Sequence, residues 1–267
     1  RYTAVGPATA STLWLGRSAA IVDFLSSPLA PDPTPEDVAE FLSDPRIIEA
    51  PRVLRWLILT GVILRTRPKR SAHAYQQVWT PQGSPLLVES RALAERLSGR
   101  LAARCGDRVR VELAMTYGNP SLPDALDRLR RDNVQRLLVL PMYPQYSATT
   151  TASIFDRVTG ELSRWRWLPE LRMVNQYWEE DAYIAAVADG IASHWQQHGR
   201  KHLLFSFHSI PKRYFLAGDP YHCFCRGTAR RVAMRLGLAE GEWSLGFQSR
   251  FGREEWPKPY VDLLLQD

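Results

Sequence analysis

The chain has 267 residues, of which 45% are hydrophobic and 23% charged, enough for one large domain or two ordinary ones. The formal net charge of +6 favours anionic partners, although the basic residues are scattered and a solvated basic surface explains them equally well. Only three cysteines, Cys105, Cys223 and Cys225, argue against a disulfide framework and suit a reducing compartment. The longest apolar run, 56–64, is about half of a membrane span. From the cysteine usage we expect a cytoplasmic protein, with membrane association left open.

The N-terminal part begins with weak patterns and then alternates helices with strands. Thr34, Pro35 and Asp37 combine a cap, a first-turn proline and an acid, which predicts a helix start. An apolar stretch at 53–64 and a basic segment at 65–87 follow. The next predicted elements are a helix over 87–103, a strand at Arg110–Met115, a helix over 122–132 capped by Ser121, and a strand at Leu137–Leu140.

The C-terminal part continues the alternation. It predicts a strand at Leu171–Asn175, a helix over 181–197, a strand at Leu203–Phe207, a helix over 226–236 ended by Gly237, and a strand at Trp243–Phe247. Short apolar strands between amphipathic helices indicate βαβ units around parallel sheets, and therefore an α/β fold. Gly160 and the segment SRWRWLPE interrupt the pattern, which indicates a domain boundary near 160–170.

Three predicted strand ends carry aromatic, hydroxyl and basic groups, at 141–151, 208–214 and 248–256. Parallel α/β sheets bind ligands at the carboxyl ends of their strands, so these segments are candidates for one shared site. His208 is the strongest single candidate, because a neutral imidazole there can ligate a metal or accept a proton near pH 7. A buried structural histidine bonded to a backbone carbonyl explains the position equally well.

Other chemistry-bearing residues favour plainer interpretations. For His222, Cys223 and Cys225 we expect no zinc or iron–sulfur cluster, since a fourth ligand is not evident and free thiols at a loop or helix start explain the pattern. His194 and His198 are expected at a solvated helix end. The basic, aromatic segment lacks a recognisable reader motif, so no nucleic-acid partner is expected.

At the strand ends the chain resembles the ferrochelatase family, in a style similar to its proteobacterial members. The resemblance covers roughly residues 20 to 267 and rests on seven motifs in the right order and spacing. These motifs are EFLSDPRIIEAP (40–51), RPKRSAHAY (67–75), GSPLL (83–87), YPQYSATTTAS (143–153), FSFHSIP (205–211), GDPYHC (218–223) and FQSRFGREEW (247–256).

The resemblance implies two Rossmann-like domains, 19–160 and 161–267, with a porphyrin cleft between them. It implies an enzyme that inserts ferrous iron, as substrate, into protoporphyrin IX to give protohaem, with no permanent cofactor. His208 matches the family histidine at the metal centre, as catalytic residue and metal ligand. Porphyrin contacts are implied for Arg67, Tyr75, Ser84, Tyr143, Tyr146, Ser147 and Trp256.

Two departures from the family pattern leave alternatives open. VDFLSSP (22–28) stands where the family has an Asn-Leu-Gly-Thr-Pro type turn, and the chain ends before the strand and loop that carry the family's acidic site residue. We therefore expect an incomplete second domain and poor turnover, and a non-catalytic tetrapyrrole-binding protein is the main alternative. Insertion of another metal, a solute receptor, and peripheral membrane contact through 53–64 also remain open.

Overall fold

The computed structural model describes residues 3–5, 44–46, 85–250 and 254–266. The described elements are, in chain order, β1 (Thr3–Val5), α1 (Pro85–Cys105), a short 3₁₀ helix (Gly106–Arg108), α2 (Leu122–Arg131), β2 (Arg136–Val139), α3 (Thr151–Leu162), β3 (Glu170–Met173), α4 (Asp181–His198), β4 (Leu203–His208), α5 (Lys212–Leu216), α6 (Tyr221–Arg235), β5 (Trp243–Gln248) and α7 (Val261–Leu264). Strands and helices alternate and both sheets are parallel, so the α/β fold is confirmed.

The chain divides into two compact units. One comprises Arg1–Leu25, Leu140–Thr151 and Val174–Asp267, and the other comprises Ser26–Val139 and Ala152–Met173. The predicted domains 19–160 and 161–267 stay a prediction. Among the described residues, every helix is too short or too polar to cross a lipid bilayer.

The first unit holds a parallel sheet in the order β1-β4-β5, in which Leu203 pairs with Trp243 and His208 pairs with Gln248. All six residues of β4 are buried, which accounts for a continuous apolar run with no alternation. The side chains of α4 and α6 pack against Phe247 of β5 and complete this core, including Ile184, Val187, Ile191, Ala229 and Val232. The core thereby supports the end of β4 where His208 lies.

The second unit holds the parallel pair β2 and β3, with Arg136 opposite Glu170. Its core joins α2, β2 and α3 through Leu126, Leu137, Val158 and Leu162. The predicted cap of α2 is confirmed, because Ser121 Oγ accepts from the Asp124 N–H at 3.2 Å and donates to the Asp124 carboxylate at 2.7 Å.

Most predicted elements in the described residues are confirmed within one or two residues at each end. They are the helices α1, α2 and α4 and the strands β2, β3, β4 and β5. The helix predicted after Thr34 and the apolar stretch at 53–64 lie outside the described residues.

Three expectations differ from the structure. The strand predicted at Arg110–Met115 is wrong: within the described residues Met115 makes only one bridge, to Ser121, and residues 111–114 are half-buried without the alternation of a sheet face. Helices α3, α5 and α7 have no counterpart among the predicted elements, and Gly160 lies inside α3 with no other described residue within 4 Å of an added Cβ, so glycine weakens the helix there without ending it. Helix α6 begins at Tyr221 rather than at 226, because the Asp219 carboxylate accepts from the Tyr221 N–H.

Candidate active site

His208 is the last residue of β4, and its side chain is buried, with 6% of its surface exposed. Its Nδ1 lies 2.6 Å from the carbonyl oxygen of Ser209. Because a carbonyl oxygen only accepts, Nδ1 carries the hydrogen and donates it, and this assigns the tautomer. The lone pair is therefore on Nε2, which makes no hydrogen bond with any described residue.

Burial lowers the pKa of His208 from 6.5 to about 4, and the Ser209 carbonyl offsets this only in part. The imidazole is consequently neutral at physiological pH. A neutral ring with one committed nitrogen and one available lone pair is suited to ligating a metal or accepting a proton.

The second and third strand-end segments lie side by side. The Ser209 N–H donates to the Gln248 carbonyl at 2.9 Å, directly after the paired residues His208 and Gln248. Further on, the Lys212 N–H donates to the Glu255 carbonyl at 2.9 Å, and Lys212 Nζ lies 2.7 Å from Glu255 Oε1. The parallel pairing of β4 and β5 thus brings 208–214 to the same edge as residues 248–250 and 254–256.

The first strand-end segment, 141–151, is attached to the same unit by side-chain hydrogen bonds. Ser147 Oγ donates to Asp219 Oδ2 at 2.8 Å, and Gln145 Nε2 donates to Thr228 Oγ1 at 2.9 Å. The Tyr177 N–H donates to the Pro144 carbonyl at 2.9 Å. These bonds connect the segment to α6, its preceding turn and the chain before α4.

The predicted aromatic contacts have different environments. Tyr143 and Tyr146 are half-buried, and burial raises the pKa of the Tyr143 phenol, which stays protonated. Trp256 is buried, with 5% of its surface exposed, and its carbonyl accepts from the Tyr260 hydroxyl at 3.2 Å. The remaining predicted contacts, Arg67, Tyr75 and Ser84, lie outside the described residues.

The His222, Cys223 and Cys225 group lies in the first turns of α6. Cys225 is completely buried while Cys223 is exposed, so the two thiols point in different directions. The His222 ring stacks on Phe247, with ring centroids 4.5 Å apart. In the part of the chain that the structure describes, no three His, Cys, Asp or Glu side chains lie close enough to hold a metal ion.

Two buried polar residues near the site are absent from the predicted contacts. Asp219 is 7% exposed and receives three hydrogen bonds, and Gln145 is 7% exposed and binds Thr228. The sequence signal for Asp219 is the dipeptide Asp-Pro directly before α6, which is typical of a helix start. Gln145 carries no such local signal.

Comparison with known proteins gives one consistent family. A family model described as Ferrochelatase matches residues 27–267. A ferrochelatase of Thioalkalivibrio sulfidiphilus is 53% identical over 249 residues, which are 92% of this chain and 68% of the relative. A ferrochelatase of Nitrosococcus oceani is 52% identical over 255 residues, covering 94% and 69%. One of Marinobacter nauticus is 49% identical over 254 residues, covering 94% and 68%. The chain thus spans about two thirds of the length of these relatives.

Proposed function

The chain belongs to the ferrochelatase family, and we propose that it inserts ferrous iron into protoporphyrin IX to give protohaem, as a lyase of haem biosynthesis. The observation that carries this proposal is a buried, neutral imidazole with an open Nε2 at the end of β4, in a chain that matches the family over residues 27–267. Ferrous iron and the porphyrin are both substrates.

The reaction replaces two protons with one metal ion. A free-base porphyrin carries two pyrrole N–H groups, and insertion of Fe²⁺ forms four iron–nitrogen bonds and releases two H⁺. No electrons are transferred, so the balance needs neither an oxidant nor a reductant. The protein's part is to bind the ring, favour the bent form in which pyrrole lone pairs face the metal, and provide a path for the protons.

Two roles are open to the Nε2 lone pair of His208. It can receive a pyrrole proton, or it can ligate the incoming iron. Burial makes the imidazolium costly, so a proton accepted at Nε2 has to leave again quickly for the cycle to continue. The same burial keeps the lone pair free for iron at every pH above the pKa of about 4.

We propose that the ring is held by the residues that match the family's porphyrin contacts. The 143–147 segment contributes Tyr143 and Tyr146, with Ser147 holding the shape of the segment, while Arg67, Tyr75, Ser84 and Trp256 supply further contacts. An arginine is well suited to the propionates of the porphyrin, because its planar guanidinium pairs with both oxygens of a carboxylate.

We also propose a cytoplasmic location, which the free thiols of Cys105, Cys223 and Cys225 support. Peripheral membrane contact through 53–64 would bring the protein close to an apolar substrate. Cell fractionation with and without high salt tests both statements.

The test of the proposed function is His208→Ala, with His198→Ala as a matched control at an exposed helix end. Metal insertion is followed by the change in porphyrin absorbance, and porphyrin binding by quenching of tryptophan fluorescence. We expect His208→Ala to lower kcat by about 100-fold or more while the porphyrin Kd stays within about threefold. The control keeps normal turnover. Wild-type turnover in His208→Ala would remove this residue from the mechanism, and absence of porphyrin binding by the unmodified protein would contradict the function.

A further inference from the structure

Asp219 carries a buried carboxylate that accepts three hydrogen bonds from two separate parts of the chain. Its Oδ2 accepts from Ser147 Oγ at 2.8 Å and from the Ala148 N–H at 2.7 Å. Its Oδ1 accepts from the Tyr221 N–H at 3.0 Å, at the start of α6. One side chain therefore joins the 143–147 segment to the beginning of a core helix.

The charge of this carboxylate is stabilised by dipoles rather than by a cation. Within the described residues, neither a lysine nor an arginine forms an ion pair with Asp219. Two of the three donors are backbone N–H groups, which can only donate, and the N-terminal end of the 15-residue α6 adds a favourable dipole. An amide in place of the carboxylate would point its own NH₂ group at one of these N–H donors.

The hydroxyl of Ser147 has no hydrogen-bonding capacity left for a ligand. Ser147 is 1% exposed, and its single hydrogen is donated to Asp219. Its oxygen accepts from the Thr149 N–H at 3.2 Å and lies 2.9 Å from Thr149 Oγ1. One donor and two acceptors are the full complement of a hydroxyl group, so Ser147 acts on the shape of its own segment.

The 143–147 segment depends on such attachments because it lies within residues 141–150, which form neither helix nor strand. Pro144 and Gln145 are held by Tyr177 and Thr228, on one side of Tyr146. The bonds from Ser147 and Ala148 to Asp219 hold the other side. Tyr146 is thereby carried on a backbone fixed before and after it.

We propose that Asp219 is a positioning residue, whose carboxylate fixes the 143–147 segment in the conformation that binds the porphyrin ring. This inference rests on the proposed function. It assigns Asp219 and Ser147 to the binding of porphyrin, and not to the proton transfer or iron ligation proposed for His208.

The principal test is Asp219→Asn, which keeps size and shape. Asp189→Asn makes the same chemical change at an exposed position of α4 and is the matched control. We expect Asp219→Asn to raise the porphyrin Kd and the porphyrin KM about tenfold, while the KM for iron changes less than about twofold. Asp189→Asn leaves all three constants unchanged. A folded Asp219→Asn variant with wild-type porphyrin Kd and KM would overturn the proposal.

A second variant separates positioning from capping of α6. Ser147→Ala removes one bond to Asp219 but keeps the carboxylate, the Ala148 contact and the Tyr221 contact. We expect a smaller rise in porphyrin KM, about threefold, with unchanged circular dichroism. In the variant that combines Asp219→Asn with Ser147→Ala, the two increases in porphyrin KM should not add, because both changes break the same contact. Additive effects, or no change in Ser147→Ala, would count against the proposal even if Asp219→Asn failed to fold.

Amide hydrogen exchange provides a readout that needs no substrate. In the ligand-free protein, Asp219→Asn should speed exchange at 147–150, while the buried strand β4 keeps its protection. Unchanged exchange at 147–150 would overturn the positioning role by itself. If exchange responds as expected but the unmodified protein neither binds porphyrin nor inserts metal, the proposed function fails and the contact stands as a structural one.

Discussion

His208 Nδ1 donates a hydrogen bond to the main-chain carbonyl of Ser209, the next residue, at 2.6 Å. The partner is a backbone atom, so changes of side chain elsewhere leave this bond in place. A histidine bonded to a backbone carbonyl and a functional histidine are therefore not exclusive interpretations of His208. One ring nitrogen is used by the fold, and Nε2 is left for chemistry.

The buried ring of His208 predicts a specific dependence of stability on pH. The unfolded chain binds a proton at His208 near pH 6.5, whereas the folded chain binds it only near pH 4, so stability falls as the pH falls between these values. The contribution of the neutral His208 ring to the unfolding free energy is complete above pH 6.5 and is lost as the pH falls through 4. Urea denaturation at pH 7 and at pH 4.5 gives the drop in unfolding free energy for each protein. We expect this drop to be about 2 kcal/mol smaller in His208→Gln than in the wild type. Parallel curves for the two proteins would contradict the shifted pKa.

Gly227 is required by the ring of Trp178. A Cβ at Gly227 would overlap the ring of Trp178, and that ring is stacked on Phe224 with centroids 5.1 Å apart. We expect Gly227→Ala to lower the unfolding free energy by about 2 kcal/mol, because the ring has to leave its stacked position.

Gly160→Ala is the matched control for this change. Gly160 is also a helical glycine, but it is exposed, and among the residues that the structure describes none lies within 4 Å of the added Cβ. Alanine should therefore stabilise the protein by about 0.5–1 kcal/mol. Urea denaturation of both variants measures the two changes in unfolding free energy, which should have opposite signs. A stabilising Gly227→Ala would show that Trp178 does not fill the space beside Gly227.

Ser121 caps α2, and its removal should weaken that helix. Ser121→Ala leaves the Asp124 N–H without its acceptor, and we expect a loss of about 1 kcal/mol of unfolding free energy. Ser193 is exposed within α4, and its side chain makes no hydrogen bond with any described residue, so Ser193→Ala should be neutral or slightly stabilising. Equal losses in the two variants would mean that the cap contributes nothing beyond helix propensity.

The thiols of Cys223 and Cys225 should react at very different rates, although only one residue separates them. Cys223 is exposed, whereas Cys225 is completely buried and burial raises the pKa of its thiol. With a disulfide reagent such as DTNB we expect fast modification of Cys223 in the native protein and modification of Cys225 only on unfolding. Peptide mass spectrometry assigns the sites, and Cys223→Ser should remove the fast reaction at this helix. Rapid native labelling of Cys225 would contradict its burial.

Local patterns predicted most of the described elements. The helices α1 and α4 follow from apolar stripes, and α2 with its cap follows from Ser121 and Asp124, because these signals act within a few residues. The strand predicted at 110–115 failed for the opposite reason, since a strand exists only where a neighbour pairs with it. Helix α3 was not predicted, because Gly160 was interpreted as an interruption of the pattern. The structure shows that this glycine does not end the helix, since the effect of a helical glycine depends on what surrounds it.

The sequence by itself determined the α/β class, the family and the position of His208 at a strand end, because periodicity, motif order and spacing are properties of the chain as written. Only the tertiary structure decided which nitrogen of His208 is open, and only it brought Asp219 to Ser147, 72 positions earlier in the chain. Such contacts form when the core of β4, α4 and α6 packs, and burial then decides which polar groups have partners. A hydrogen bond over that separation leaves no periodic trace in either segment, so sequence patterns could not predict it.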